Sequence, residues 1–420
     1  MTGEPLARRW PARLLPATAT ADAVRLVAAR GVRAFADGVV SVLLPLYLSA
    51  LGFSELQVGA LSTATLVGSA VLTLLVGLVS YRLRRRPLLL GAATLMAATG
   101  LGFALIHDFW PLLLVAFVGT LNPSSGDVSV FLPLEQSLLP QTVSDRQRTA
   151  LFARYSLVAS LLGALGALSA GLPGLVADHT PIDFRQALEG TFLLYTLLAL
   201  VAMALYRGLS PRVEAPPGMA QAPLRESKRM VYTLAALFSL DSFGSGFVVQ
   251  SLLALWLFKR FALSAAVAGT IFFWTGILSS ASYLVAVRLA ERFGAVKTMV
   301  FTHLPANLFL ALVPFMPNLP LAVGLLLLRS LLSNMDAPVR NSYVMAVVTP
   351  AERPAAASIT AVPRSLAAAG SPVLAGYLLG LTPFGWPLLI AGTIKGTYDL
   401  LLLMLFSRVR PPEEAAPHAR

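Results

Sequence analysis

The sequence contains no cysteine. That excludes a disulfide framework, a thiolate metal site and a cysteine nucleophile. Histidine is almost as scarce: the four, His107, His179, His303 and His418, are scattered along the chain. No H-E-x-x-H or G-x-S-x-G stretch occurs. A membrane-embedded enzyme would need such a nucleophile or metal constellation, so no enzymatic activity, no metal and no cofactor are expected. Charge is sparse too, at 12% of residues, against roughly 25% in soluble domains. Lysine is nearly missing: only Lys228, Lys259, Lys297 and Lys395 stand among 32 basic residues. The first twenty residues, "MTGEPLARRWPARLLPATAT", lack the apolar core and small-residue cleavage site of a signal peptide, so the first helix is expected to act as its own insertion signal.

Apolar side chains fill the gap left by charge. They make up 56% of the chain, and the mean hydropathy is +0.74. A membrane span needs about 20 predominantly apolar residues. Twelve stretches qualify, near 25–50, 57–80, 87–107, 111–137, 150–173, 187–206, 230–257, 265–287, 298–316, 320–347, 356–381 and 385–407. The predicted fold class is an all-α polytopic membrane protein. Most joins are short. The exception is the polar, proline-rich segment 207–229, which is expected to link an N-terminal six-helix half, 1–206, to a C-terminal half, 230–407, followed by a tail, 408–420.

The formal net charge of +12 would suggest nucleic acid in a soluble chain. In a membrane protein it marks cytoplasmic loops instead. Twelve spans with both termini in the cytoplasm place 21 of the 32 basic residues inside and only Arg185, Lys259 and Arg260 in external loops. A multi-pass protein of the cytoplasmic (inner) membrane, embedded in the lipid bilayer, is therefore expected, with no nucleic-acid partner.

An internal repeat supports the two halves. At an offset of 210 residues, Gly59 meets Gly269, Pro140 meets Pro350, Arg154 meets Arg364 and Gly166 meets Gly376. Two parallel homologous halves are a transporter signature. The stretches "GLVSYRLRRRP" (Gly77–Pro87) and "VRLAERFGAVK" (Val287–Lys297) also lie 210 apart. They resemble the loop signature of the major facilitator superfamily. Glu291, Arg292, Gly294 and Lys297 fit the second copy, where Val287 replaces its first glycine; Gly77, Arg82 and Arg86 fit the first, where Tyr81 replaces the acid and Arg84 the second glycine. The resemblance implies two pseudo-symmetric six-helix bundles that alternate access to one small-molecule site, with these residues at a cytoplasmic gate. "GSPVLAG", with Gly370, Pro372 and Gly376, resembles the Gly-Pro pattern of the family's antiporters, but in span eleven rather than span five; its small residues suit close helix packing.

Charges inside spans are the candidates for function, because one at the bilayer centre costs ~2.5–3.5 kcal/mol on insertion scales. In span ten, Arg329, Ser333, Asp336 and Arg340 fall on one face of a continuous helix. Asp336 and Arg340 are four residues apart and can pair; the stripe either faces a substrate cavity or locks the bundle. Span one carries Arg33 and Asp37 at the same spacing, and its cavity position in the family ranks them as substrate contacts. Lys395 and Asp399 in span twelve repeat the spacing and are expected to form a structural pair. Asp127 and Glu135 in span four and Asp241 in span seven have no base three or four residues away. A buried carboxylate without a counter-charge can cycle a proton near neutral pH, so these three are the proton-coupling candidates, unless another helix supplies a base, as Arg329 could for Asp241. The expected function is secondary active transport of a small organic molecule by a monomer, first as proton-coupled efflux. The alternative is uptake of an anionic metabolite clamped by Arg33, Arg329 and Arg340.

Overall fold

The computed structural model describes residues 19–79, 84–124, 129–143, 147–211, 227–349 and 352–407. Among them the secondary structure is helical, with no strand. The helices are α1 (Ala21–Ala50), α2 (Glu55–Val79), α3 (Arg85–Leu105), α4 (Phe109–Val118), α5 (Phe131–Leu138), α6 (Arg148–Leu168), α7 (Leu172–His179), α8 (Phe184–Arg207), α9 (Lys228–Gly246), α10 (Gln250–Phe261), α11 (Ala265–Phe293), α12 (Ala295–Leu312), α13 (Leu319–Leu332), α14 (Asp336–Val347), α15 (Arg353–Gly370), α16 (Pro372–Leu381) and α17 (Trp386–Phe406).

These elements make twelve membrane spans. Among the described residues nine are long and apolar enough to cross by length and composition: α1, α2, α3, α6 with α7, α8, α9 with α10, α11, α12 and α17. The other three are helix pairs, α4–α5, α13–α14 and α15–α16, whose breaks interrupt the apolar run. Surface chemistry agrees with a hydrocarbon solvent. On α8, Phe192, Tyr195, Ala199 and Tyr206 are buried while Leu193, Leu197 and Leu200 are exposed. Water would penalise that outward leucine stripe, and lipid does not.

The chain divides into two compact units. The first gathers Met1–Leu51, Gly68–Gly218 and Ala265–Phe273, and the second Gly52–Val67, Met219–Ser264 and Trp274–Arg420. The boundaries thus also fall inside α2 and α11, not only in the segment expected as the linker. One packing scheme serves both units. In the first, α1 packs on α6 and α8, and α3 on α8; in the second, α9 packs on α15 and α17, and α12 on α17. Glycine permits the tightest crossings. A Cβ on Gly38 of α1 would stand 2.9 Å from the Gly163 carbonyl carbon, and one on Gly246 of α9 3.1 Å from that of Ala368. No real Cβ fits the first, so only hydrogen allows the backbones to approach.

Two repeat landmarks sit in matching contacts. Within the second unit, a Cβ on Gly59 would lie 3.0 Å from the Gly376 Cα. Within the first, a Cβ on Gly269 would lie 3.4 Å from the Ala167 carbonyl carbon. Around Gly376, Pro372 opens α16 after Ser371, whose Oγ donates to the Phe243 carbonyl at 2.7 Å. The Val373 amide then donates to Thr63 Oγ1 at 3.0 Å.

Span ten departs from expectation. It is not one helix: α13 stops at Leu332 and α14 restarts at Asp336. Pro338 has no amide hydrogen, so it belongs in a first helical turn, and the helix starts afresh just ahead of it. The single polar face expected to run from Arg329 through Ser333 to Arg340 is therefore broken between its first and last members.

Candidate functional site

In the first unit the charged centre is Glu135, fully buried on α5. Three other helices reach it. Arg33 Nη2 of α1 donates to Glu135 Oε2 at 2.5 Å. Tyr155 of α6 donates its hydroxyl to the same oxygen. Tyr206 of α8 donates to Oε1 at 2.5 Å and accepts from Arg33 Nε at 3.0 Å. The Arg33 guanidinium lies 4.0 Å from the centroid of the Phe131 ring, which stacks on Tyr206. Glu135 was expected to lack a counter-charge because no base shares its helix face; α1 provides one. Of the other candidates here, Asp37 lies within electrostatic range of Tyr195, and Asp127 lies outside the described residues.

The second unit holds a larger cluster. Asp241 of α9 is buried between two cations: Lys395 Nζ of α17 donates to its Oδ1 at 2.6 Å, and Arg340 Nη1 of α14 to its Oδ2 at 3.3 Å. Arg340 also reaches Asp336 at 3.2 Å, the pairing that their spacing predicts. Lys395 donates in addition to Ser245 Oγ at 2.7 Å. Two expectations are corrected at this point. Asp241 has counter-charges, and Arg329 is not one of its ion-pair partners. Lys395 and Asp399 do not pair either. Asp399 instead accepts from Asn307 Nδ2 at 2.8 Å and lies 2.9 Å from His303 Nδ1, both on α12. The lysine has a reason to look across the bundle, since Asp241 and Ser245 together satisfy two of its donors, whereas a lysine four residues ahead of an acid is the weaker order for a pair on one helix.

His303 ties the two acids together. Its Nε2 lies 3.9 Å from Asp241 Oδ1, and its ring meets Tyr398 edge-on at 6.0 Å. Arg340 sits over the Phe238 ring at 5.4 Å. An apolar cluster that includes Phe238, Met299, Tyr343, Tyr398 and Phe406 adjoins this network. A low-polarity surround strengthens every charge interaction in it.

Three arginines stand apart from the carboxylates. Arg329 at the end of α13 makes no ion pair among the described residues, and its Nε is buried without a hydrogen-bond partner. Arg364 of α15 donates to Ser242 Oγ at 3.2 Å and lies in the electrostatic field of Arg340, Asp241 and Asp336. Arg154 of α6 has a buried Nη1 without a partner. Of the cation clamp expected from Arg33, Arg329 and Arg340, only Arg329 is left uncommitted.

The loop residues are simpler. Arg86 donates to the Arg207 carbonyl. Gly294, at φ +85°, turns the chain between α11 and α12, a conformation that favours glycine. Arg292 is exposed and lies 5.4 Å from the Phe293 ring centroid. Glu291 and Gly77 lie in α11 and α2, and Arg82 lies outside the described residues.

Sequence reasoning missed His303, Asn307, Tyr155, Tyr206, Ser245 and Arg364 as partners. His303 and Asn307 carried a usable signal: two polar residues four apart in the apolar span "FTHLPANLFL" must share a face, and that face needs a polar neighbour. Tyr155 and Tyr206 carried none, because tyrosine also belongs in any apolar core.

Comparison with known proteins bears on the whole chain. The sequence profile of the Major Facilitator Superfamily matches residues 26–258 and again 234–420. The uncharacterized membrane protein YJR124C of Saccharomyces cerevisiae is 24% identical over 423 residues, covering 92% of this chain and 94% of its own. Among solved structures, a mutant of the nucleoside transporter NupG superposes with a TM-score of 0.73 at 14% identity, covering 92% of this chain and all of its own. The xylose transporter XylE from E. coli in an inward-open conformation gives 0.67 at 16% identity over 93% of this chain and 98% of its own. The human organic anion transporter MFSD10 gives 0.62 at 18% identity over 90% of this chain and 99% of its own.

Proposed function

Because the chain belongs to the Major Facilitator Superfamily and is a transporter rather than an enzyme, we propose that it is a secondary active carrier that couples the movement of a small organic molecule to protons. The observation that carries this reading is the buried titratable cluster of the second unit. Asp241, Asp336, Asp399 and His303 lie together with Arg340 and Lys395, all less than a tenth exposed. Burying so many ionisable groups costs more than packing apolar ones of equal volume. A cluster whose net charge can change by one proton is the part a proton-driven carrier needs.

Efflux is the proposed direction. The two sequence halves, 1–206 and 230–407, are proposed to move against each other about the 207–229 linker, with both termini in the cytoplasm and the carrier in the cytoplasmic membrane. The basic residues support that orientation. The test is transport by the purified protein in liposomes. A panel of metabolites and drugs is first screened for thermal stabilisation, and any hit is then assayed with and without an imposed pH gradient. Flux that responds to the gradient supports the reading; flux of a stabilising ligand that ignores the gradient refutes the coupling.

A second reading, uptake of a small organic anion, draws on a separate observation. Arg329 and Arg364 are cations with no carboxylate partner among the described residues. A planar guanidinium with free donors suits a carboxylate or phosphate. The same panel separates the readings, since only the second requires every hit to be anionic.

A further inference from the structure

The cations of the second unit are shared unevenly. Asp241 has two, Lys395 at 2.6 Å and Arg340 at 3.3 Å. Asp399 is 0% exposed, and its contacts are a histidine and an asparagine. Neither is a permanent cation. A buried carboxylate with no counter-charge costs several kcal/mol. A proton on the His303–Asp399 pair, held either as imidazolium and carboxylate or as imidazole and carboxylic acid, would remove that cost. The two placements belong to one coupled site.

Four residues before Asp399, on the same helix, stands the one flexible cation of the cluster. Lys395 carries a compact ammonium on a four-carbon stem. It binds Asp241, the acid that has another cation to spare. Its spacing from Asp399 is the one that lets side chains on a helix meet.

We propose that His303 and Asp399 form a proton-binding site whose occupancy decides which carboxylate Lys395 holds. With the proton bound, Lys395 stays on Asp241 and Ser245, as seen. When the proton leaves, an N–H or O–H bond of the pair breaks and the proton passes to water. Asp399 is left as a bare carboxylate, and the Lys395 ammonium, still charged, moves to it. Asp241 keeps Arg340. The cluster loses one unit of positive charge, and no buried acid is left without a cation.

The groups around His303 are consistent with this handover. From α17 it faces Tyr398 and Asp399, and from α9 Asp241, which Lys395 of α17 holds from another side; on its own helix Asn307 Nδ2 lies 3.1 Å from its Nδ1. α14 contributes Arg340 and Asp336 behind Asp241. Arg329 of α13 and Arg364 of α15 act on Asp241 only through their field. Neither of these arginines reaches Asp399 as an ion-pair partner, so Lys395 is the cation placed to replace the proton.

The handover would also reach the backbone. Ser245 is the next-to-last residue of α9, and the chain leaves helical geometry before α10 starts at Gln250. Lys395 ties α17 to that joint, so its departure would release the joint. As a coupling step this rests on the transport reading above; as a proton site it does not.

The test uses the full chain in detergent or nanodiscs and needs no substrate. Histidine is isotopically labelled, His303→Gln identifies the His303 signal, and the protein is titrated between about pH 5 and 9. Structures are determined at the two ends of that range. The expected result is one titrating signal for His303, with Lys395 within hydrogen-bond distance of Asp241 at the acid end and of Asp399 at the alkaline end. Lys395→Gln removes the replacement cation, so at the alkaline end Asp399 should have no ion-pair partner. Asp399→Asn, which removes the carboxylate of the pair, should abolish that titrating signal. A His303 signal that does not titrate overturns the proposal, and so does one that titrates while Lys395 stays on Asp241. Because labelled wild-type protein carries the main result, a variant that fails to fold does not spare the idea. Flux in liposomes that ignores a pH gradient would remove the coupling reading and leave this site standing, so the two failures are distinguishable.

Discussion

Arg33→Met should be among the most damaging single changes in the first unit. Glu135 is 0% exposed and Arg33 1%, so no water replaces the lost partner. Two tyrosine donors remain on the carboxylate, at Oε1 from Tyr206 and at Oε2 from Tyr155. They satisfy its lone pairs but not its charge. Breaking a buried pair on one side costs about 3–5 kcal/mol. Removing both charges by Arg33→Met with Glu135→Leu should recover most of that, because an apolar pair of similar volume is neutral or better in such positions. The two tyrosines then lose their acceptor, at about 1–3 kcal/mol for each donor left unpaired, so full recovery also needs Tyr206→Phe and Tyr155→Phe. The assay is reversible unfolding in mixed micelles by titration with sodium dodecyl sulfate. An Arg33→Met protein within about 0.5 kcal/mol of wild type would refute the reasoning, as would a quadruple variant no better than the single one. Transport by the recovered quadruple variant would mark the pair as architectural; a stable but inactive protein would return Arg33 and Glu135 to the working site.

In the second unit, Arg340→Gln leaves Asp336 without its ion partner and should cost about 3–5 kcal/mol, with partial recovery by Asp336→Asn in the same unfolding assay. Arg329→Gln should stay within about 1 kcal/mol of wild type, because no carboxylate depends on it; loss of transport in that stable protein would favour the anion reading, and retention would dismiss it. Gly59→Leu drives a side chain into the Gly376 backbone and should lower both stability and flux. Gly91→Ala is the control: a Cβ there meets nothing within 4 Å, so the melting temperature should hold or rise with a gain of about 0.5–1 kcal/mol. For orientation, a single cysteine at Ala220 should resist an impermeant maleimide added outside intact cells; labelling from outside would reverse the proposed topology.

The architecture was legible because its causes are local or additive. Apolar run length, loop charge and the 210-residue repeat each sum over many residues, and a misplaced one changes little. The breaks were less legible. That in span four has Pro123 and Pro133 to announce it, and that in span seven has Gly244 and Gly246. Span ten breaks at Ser333–Met335, ahead of a proline that itself lies inside the restarted helix. Proline marks where a helix cannot have an interior, not where it must stop, so a reading from spacing alone carried the polar face straight through.

The site was legible as a set of residues and illegible as a set of pairs. Glu135, Asp241, Asp336, Arg340, Lys395 and Asp399 all stood out, because a charge in a span is conspicuous by its cost. Their partners were sought four residues away, since one helix is all that spacing can address. That rule succeeded for Asp336 and Arg340. It failed for Lys395, because a membrane bundle offers each charge several helices at once and water none of the balance. The winning arrangement is the one that leaves the fewest uncompensated groups across α9, α12, α14 and α17 together. His303 and Asn307 of α12 meet Asp399 in place of a fixed cation. A histidine that looks isolated along the chain is thus a partner that Asp399 takes in place of the lysine on its own helix.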